Sequence, residues 1–248
     1  MPLADHLREL RRRLVWAVLG IVVGAVAGWL LYEPVLSAMM APLMEISEEG
    51  GQAALNFGTV GSAFDLKIQV SLFLGLFISS PWWITQVWLF ITPGLTRKER
   101  LYSVSFILAG AVLFVAGGAL AWLVLPRAVE VLTSFTPGAA VNLMDARTYL
   151  SFFMRVIVTF GVAFLVPLVM VGVNFLGLAS ARTYLRAWRW AVLAGFVFAA
   201  FANPLPDAWS MIAMALAICT LYFVAVGVCF LRDRHVARRR ASAAGTTP

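Results

Sequence analysis

The sequence predicts an all-α, polytopic membrane protein with six transmembrane helices and both termini cytoplasmic. Three observations carry this. Hydrophobic residues make up 62% of the chain and charged residues 12%, with a mean hydropathy of +0.89, against roughly a quarter charged in soluble domains. Charge-free stretches recur at residues 14–32, 68–96, 101–126, 156–181, 190–206 and 208–231, near the ~20 residues that a helical span requires. Between them, the cations cluster in every second connection. A chain of 248 residues fills one membrane bundle and leaves no room for a further soluble domain of ordinary size. We therefore expect a single transmembrane domain over 1–232 and a basic, disordered cytoplasmic tail over 233–248.

Taken in order, the spans are placed at about 14–32, 68–92, 101–126, 151–178, 188–203 and 208–231. The first is preceded by Leu3, Leu7, Leu10 and Leu14, an apolar stripe at helical spacing that marks an interfacial helix leading into the membrane. No small-residue cleavage pattern follows, so no removed signal peptide is expected. The second span carries Pro81 and the fourth Pro167. Each proline removes a backbone hydrogen bond and is expected to bend its helix. The apolar run of the fifth span, Trp190 to Ala202, corresponds to about 20 Å of helix and is short for a roughly 30 Å hydrocarbon core. Between the first two spans lies a long connection carrying Glu33, Glu45, Glu48, Glu49 and Asp65, and residues 127–150 form a second. Both contain stretches of helical spacing, such as Val35, Met39, Met40 and Leu43, read as short interfacial helices.

Orientation follows from the cations. Arg8, Arg11, Arg12 and Arg13, then Arg97, Lys98 and Arg100, then Arg182, Arg186 and Arg189, then Arg232, Arg234, Arg238, Arg239 and Arg240 fall on one side. Lys67, Arg127 and Arg147 fall on the other, and Arg155, just inside the fourth span, is expected to snorkel outward. The richer side is cytoplasmic by the positive-inside rule, and the net charge of +7 is accounted for without nucleic acid.

Little in the chain supports catalysis. His6 and His235 lie in flanking segments, away from any intramembrane metal or haem site. Cys219 and Cys229 stand ten helical positions apart, which argues against a disulfide or a metal pair. No enzyme, metal or cofactor is expected. The basic rim is accompanied by four carboxylates, Asp5, Glu9, Glu99 and Asp233. Glu9 has Arg12 and Arg13 within helical pairing distance, and Glu99 stands at capping-box spacing from Thr96. Local pairing and capping are the simplest readings of both.

The segment His6-Leu-Arg-Glu-Leu-Arg-Arg-Arg-Leu14 nevertheless resembles the N-terminal motif of the TatC family, the large subunit of the twin-arginine protein translocase. Pro81-Trp-Trp-Ile-Thr-Gln-Val-Trp-Leu-Phe-Ile-Thr-Pro-Gly-Leu-Thr-Arg-Lys-Glu-Arg100 is similar to that family's second helix and following loop, with Gln86, Trp88, Phe90, Pro93, Gly94, Leu95 and Glu99 in place. Ala41-Pro42-Leu43, Tyr149-Leu-Ser-Phe152 and Pro204-Leu-Pro-Asp207 fit as well, so the resemblance covers nearly the whole chain. It implies a concave bundle with a short fifth helix, the sixth being a further candidate for shortness.

It also implies a receptor for the twin-arginine signal peptides of folded precursors. Such a receptor nucleates the translocation site with small single-span TatA- and TatB-type subunits and further TatC copies, driven by the proton motive force in the cell membrane. Glu9 and Glu99 match the family's essential glutamates, with His6, Leu10, Arg11, Gln86 and Phe90 beside them as expected signal-peptide contacts. Pro42, Pro81, Pro93, Gly94, Pro167 and Asp207 are expected to be structural or to contact partners. A planar guanidinium fork fits a carboxylate in a way that an ammonium does not. The chain departs from the family at Leu165, where a glutamate commonly precedes Val-Pro, so a role for that acid does not transfer; Gln86 or Thr159 are possible substitutes for its polarity. The alternatives are a small-solute transporter or channel, which needs ionisable groups at depth that the spans lack, and a structural scaffold, which would bind no peptide.

Overall fold

A computed structural model of the chain describes residues 3–48, 53–56, 61–91, 99–134, 142–175, 177–202 and 208–244. It is helical almost throughout. Two compact units divide at Gly161, so one helix, α6 (Ala146–Phe175), contributes to both.

The first unit begins with α1 (Leu3–Leu30), in which the interfacial stripe and the first span form one uninterrupted helix. α2 (Tyr32–Glu48) follows, with Pro42 inside it and buried. The second span is broken. α3 (Ser62–Ile78) and α4 (Ser80–Ile91) meet at Ser79 with a bend of 62°. Pro81 sits in the first turn of α4, where a missing amide donor costs nothing. The bend expected at the proline thus falls just ahead of it, and the Ser79 hydroxyl donates to the Gly75 carbonyl at 2.7 Å.

Three glycines at four-residue spacing bind α1 to this pair. A methyl group on Gly20 would stand 2.1 Å from Trp82, on Gly24 2.7 Å from the carbonyl oxygen of Gly75, and on Gly28 2.6 Å from that of Ser71. Only bare backbone permits such an approach, which is how helices gain contact where lipid is as apolar as leucine. The Trp82 indole donates to the Trp16 carbonyl at 2.8 Å across the same seam.

α5 (Glu99–Ser134) carries Phe114, fully buried beside Phe77 and Trp83. Two strands were not anticipated. β1 (Ala53–Asn56) and β2 (Asn142–Asp145) pair in parallel, from Ala53 opposite Asn142 to Asn56 opposite Asp145, joining the two connections read above as interfacial helices. Arg147 meets Asp65 at 2.9 Å, Gln69 donates to the same carboxylate, and Ser151 donates to Gln69.

The second unit comprises α6 from Val162, α7 (Ala181–Arg186), α8 (Trp188–Ala202) and α9 (Ala208–Ala244). Pro167 does not interrupt α6. α9 corrects the expected disordered tail, since helix continues as far as Ala244; alanine and arginine, which dominate this stretch, are strong helix formers. Among the described residues four helices, in α1, α5, α6 and α9, are each long and apolar enough to cross a membrane, and α3 with α4 makes a fifth candidate. α8, with 15 residues, measures about 22 Å and does not reach that length alone.

Candidate functional site

The start of α1 lies along α4, and the contact is polar. Glu9 and Arg13, one turn apart on α1, pair through Nε and Oε1 at 2.7 Å. The same guanidinium donates from its terminal nitrogen to Oε1 of Gln86 at 3.3 Å. Gln86 is buried, so its amide has a fixed partner and Arg13 a fixed direction. One turn toward the N-terminus, His6 stacks on Phe90 with ring centroids 4.7 Å apart. His6, Glu9, Arg13, Gln86 and Phe90 therefore form one seam between two helices.

Glu9 remains partly open, its side chain 37% exposed. Arg13 occupies Oε1, and among the described residues no bond is made to Oε2. Around it Arg8, Arg11 and Arg12 are exposed, with Arg8 near Asp5 at 3.8 Å. Leu10 is exposed beside them. A carboxylate with one oxygen unbonded among the described residues, set among arginines near the start of an apolar helix, can accept a planar cationic donor and hold it at one place. The pairing of Glu9 with Arg13 matches one of the two local partners expected from sequence.

Glu99 opens α5, but its side chain lies outside what is described; Pro93, Gly94 and Asp207 lie outside the described residues altogether. Pro42 lies within α2 and Pro167 within the second unit, and neither is among the residues that form the seam. Leu165 is half-buried in α6. Neither suggested substitute for its missing acid is unengaged: Thr159 bonds the Arg155 carbonyl of its own helix, and Gln86 holds Arg13. Two features escaped the sequence reading. Arg13 was considered only as a partner for Glu9, and its bridge to Gln86 spans 73 positions. The glycine stripe did carry a signal, the small-xxx-small spacing of packed membrane helices.

Fold and site together define a multi-pass helical membrane protein with a charged seam at one end of its first helix. Sequence comparison narrows the class. The family described as "Sec-independent protein translocase protein (TatC)" matches residues 5–216. A protein of that name from Xylanimonas cellulosilytica is 48% identical, over 98% of this chain and 89% of the relative. One from Rothia mucilaginosa is 38% identical, over 98% and 84%. A crystal structure described as the twin arginine translocase receptor TatC in DDM superposes with a TM-score of 0.73 at 26% identity, covering 90% of this chain and 99% of that one. The chain belongs to the TatC family and is a subunit of the Sec-independent, twin-arginine protein translocase. The resemblance read from residues 6–14 and 81–100 is thereby borne out.

Proposed function

We propose that this subunit is the receptor for twin-arginine signal peptides, with Glu9 and Glu99 as the acids that read the two arginines. The observation that carries the reading is the Glu9–Arg13–Gln86 chain, which fixes a partly exposed carboxylate beside α4 while leaving one oxygen without a bond among the described residues. His6, Leu10, Arg11 and Phe90 border it and are assigned to the peptide's flanking residues. The six apolar segments are read as six spans in the cell membrane, the short α8 included. Both termini are cytoplasmic, an assignment supported by the fifteen cations that share one side. The partners are single-span TatA- and TatB-type subunits and further TatC copies, and the receptor performs no chemistry of its own, drawing on the proton motive force.

The decisive measurement is binding of a twin-arginine peptide, beside its twin-lysine counterpart, to the full chain in nanodiscs. Glu9→Gln removes a charge-assisted bond and should weaken the arginine peptide by about tenfold or more, while leaving the weak lysine binding nearly unchanged. Glu99→Gln should do the same. Wild-type affinity in both variants sinks the assignment.

A further inference from the structure

Within the second unit a cavity of about 270 Å³ opens among α6, α8 and α9, walled by residues that include Val166, Pro167, Met170, Gly195, Phe198 and Tyr222. Its lining is apolar. The one hydroxyl among the lining residues is already used, since Tyr222 donates to the Tyr184 carbonyl at 2.8 Å, and only the Cys219 thiol adds a weakly polar side-chain atom. Such a space has no partners to offer water and favours hydrocarbon.

One edge of the cavity is tied to a basic element. Tyr184 of α7 donates to the Met170 carbonyl at 3.0 Å and accepts from Tyr222, so α7 is fixed to two residues of the cavity wall. Arg186 closes α7, and Arg189 stands three positions before Val192, a wall residue, which is one turn along the same face of α8. Both arginines are exposed, and Arg189 lies over the Trp188 ring at 5.8 Å. Trp188, Trp190, Leu178 and Leu185 are exposed around them, a mixture of aromatic, aliphatic and cationic groups suited to headgroup depth.

No carboxylate in the described part of this unit is left to neutralise these cations. Asp233 accepts from the Asn174 amide at 3.1 Å and from the Ala181 backbone N–H at 2.9 Å. Arg232 is directed elsewhere, onto the carbonyls of Asn174 and Phe175 at the end of α6.

From this juxtaposition we infer that the unit holds one anionic phospholipid, an acyl chain in the cavity and the phosphate on Arg186 and Arg189. The cavity and the cations together decide between occupants. At roughly 30 Å³ per methylene, comparable to a water's share of liquid volume, the cavity takes about nine carbons of a chain. A further apolar helix would cover the cavity but bring no anion to Arg186 and Arg189. Charge decides the headgroup, because a guanidinium pair binds a phosphate diester with net negative lipid charge and gains nothing from a zwitterion's opposed ammonium.

The test is native mass spectrometry of the full chain released from nanodiscs of mixed phosphatidylcholine and phosphatidylglycerol. The wild type should retain phosphatidylglycerol selectively, and Arg186→Gln with Arg189→Gln should lower that retention roughly tenfold. Ala191→Phe, which fills the cavity from α8, should lower retention of either lipid; should that variant melt early, Ala194→Phe fills the same space from the exposed side. The proposal is overturned if the double arginine variant keeps the wild-type preference. It is equally overturned if Arg8→Gln with Arg12→Gln on α1 causes as large a loss, or if a folded cavity-filling variant retains lipid as before.

Discussion

The pairing of α1 with α3 and the assembly of α6, α8 and α9 are both packings of apolar helices, yet they are held by opposite means. In the first, glycine meets backbone: Gly24 faces Gly75 so closely that a methyl group would lie 2.7 Å from its carbonyl oxygen. In the second, Gly195 faces side chains, with the nearest atom, Sγ of Cys219, 3.3 Å from where a methyl would sit. The second unit closes instead at one end, through Arg232, Asp233 and Asn174, and leaves a cavity along its wall. Lipid offers no hydrophobic drive between helices, so contact must come from close approach or from polar bonds. Close approach dominates where α1 meets α3, with polar bonds added toward α4, whereas the second unit relies on its polar closure.

The sharpest way to break that comparison is to place the same substitution in both. Gly24→Ala has no room, because its obstacle is backbone that cannot rotate away; a loss of about 2–3 kcal/mol is expected from overpacking. Gly195→Ala asks Cys219 to shift by a few tenths of an ångström and should change stability by less than about 0.5 kcal/mol. Thermal unfolding of both variants in one detergent checks this, and equal losses would show that the two seams do not differ. The seam next to Gly24 also carries the Glu9 site on the same helix, so Gly24→Ala should weaken peptide binding as well.

The polar closure of the second unit is tested next. Asp233→Ala leaves the Ala181 N–H without its acceptor and removes one of the two that the Asn174 amide has, the Ala179 carbonyl remaining. The expected cost is about 1–2 kcal/mol, kept to the low end because the Asp233 side chain is 35% exposed. Asp233→Asn, which keeps one acceptor oxygen, should recover part of it. Hydrogen exchange should quicken at Ala181 and stay unchanged in α1 and α3; faster exchange in α1 would mean that the closure is not local to its unit.

How much of this the sequence disclosed depends on the range of the interaction. Apolar run length pointed to the four long apolar helices and the bent α3–α4 pair found among the described residues, because membrane insertion is written in consecutive residues. The break at Ser79 was placed at Pro81, since a proline signals a bend while the first turn of the next helix absorbs it without cost. The pairing of Ala53–Asn56 with Asn142–Asp145 joins segments nearly ninety positions apart, and neither strand has an alternating pattern of its own. At the candidate site, Glu9 and Arg13 are legible as an i, i+4 pair. The bridge from Arg13 to Gln86 is not, because it depends on how far α1 runs alongside α4. Only the family resemblance distinguished Glu9 from any other carboxylate on a helix surface.

The smallest effect concerns a polar helix end in the first unit, where the glycine seam leads us to expect little dependence on such bonds. Asp145 ends β2 and caps α6, accepting from the Thr148 N–H and from its hydroxyl, each at 2.8 Å. The Thr148 backbone bond, aided by the hydroxyl and then by the nearby Arg147 charge, holds the carboxyl below the usual carboxylate range. A folded-state value lowered in this way contributes stability that is fully present above the unfolded value, near 3.9, and is lost as pH falls through the lower folded value. The cap should therefore be intact at neutral pH and weaken only in strong acid. Amide exchange at Thr148, corrected for intrinsic pH dependence, should rise below that point in the wild type. Asp145→Asn, which caps without titrating, should remove the acid-dependent rise and leave the neutral-pH rate nearly unchanged. Throughout, the amides around Gly24 and Gly75 should not respond; a response there would mean that this polar cap and the glycine seam are one structural element.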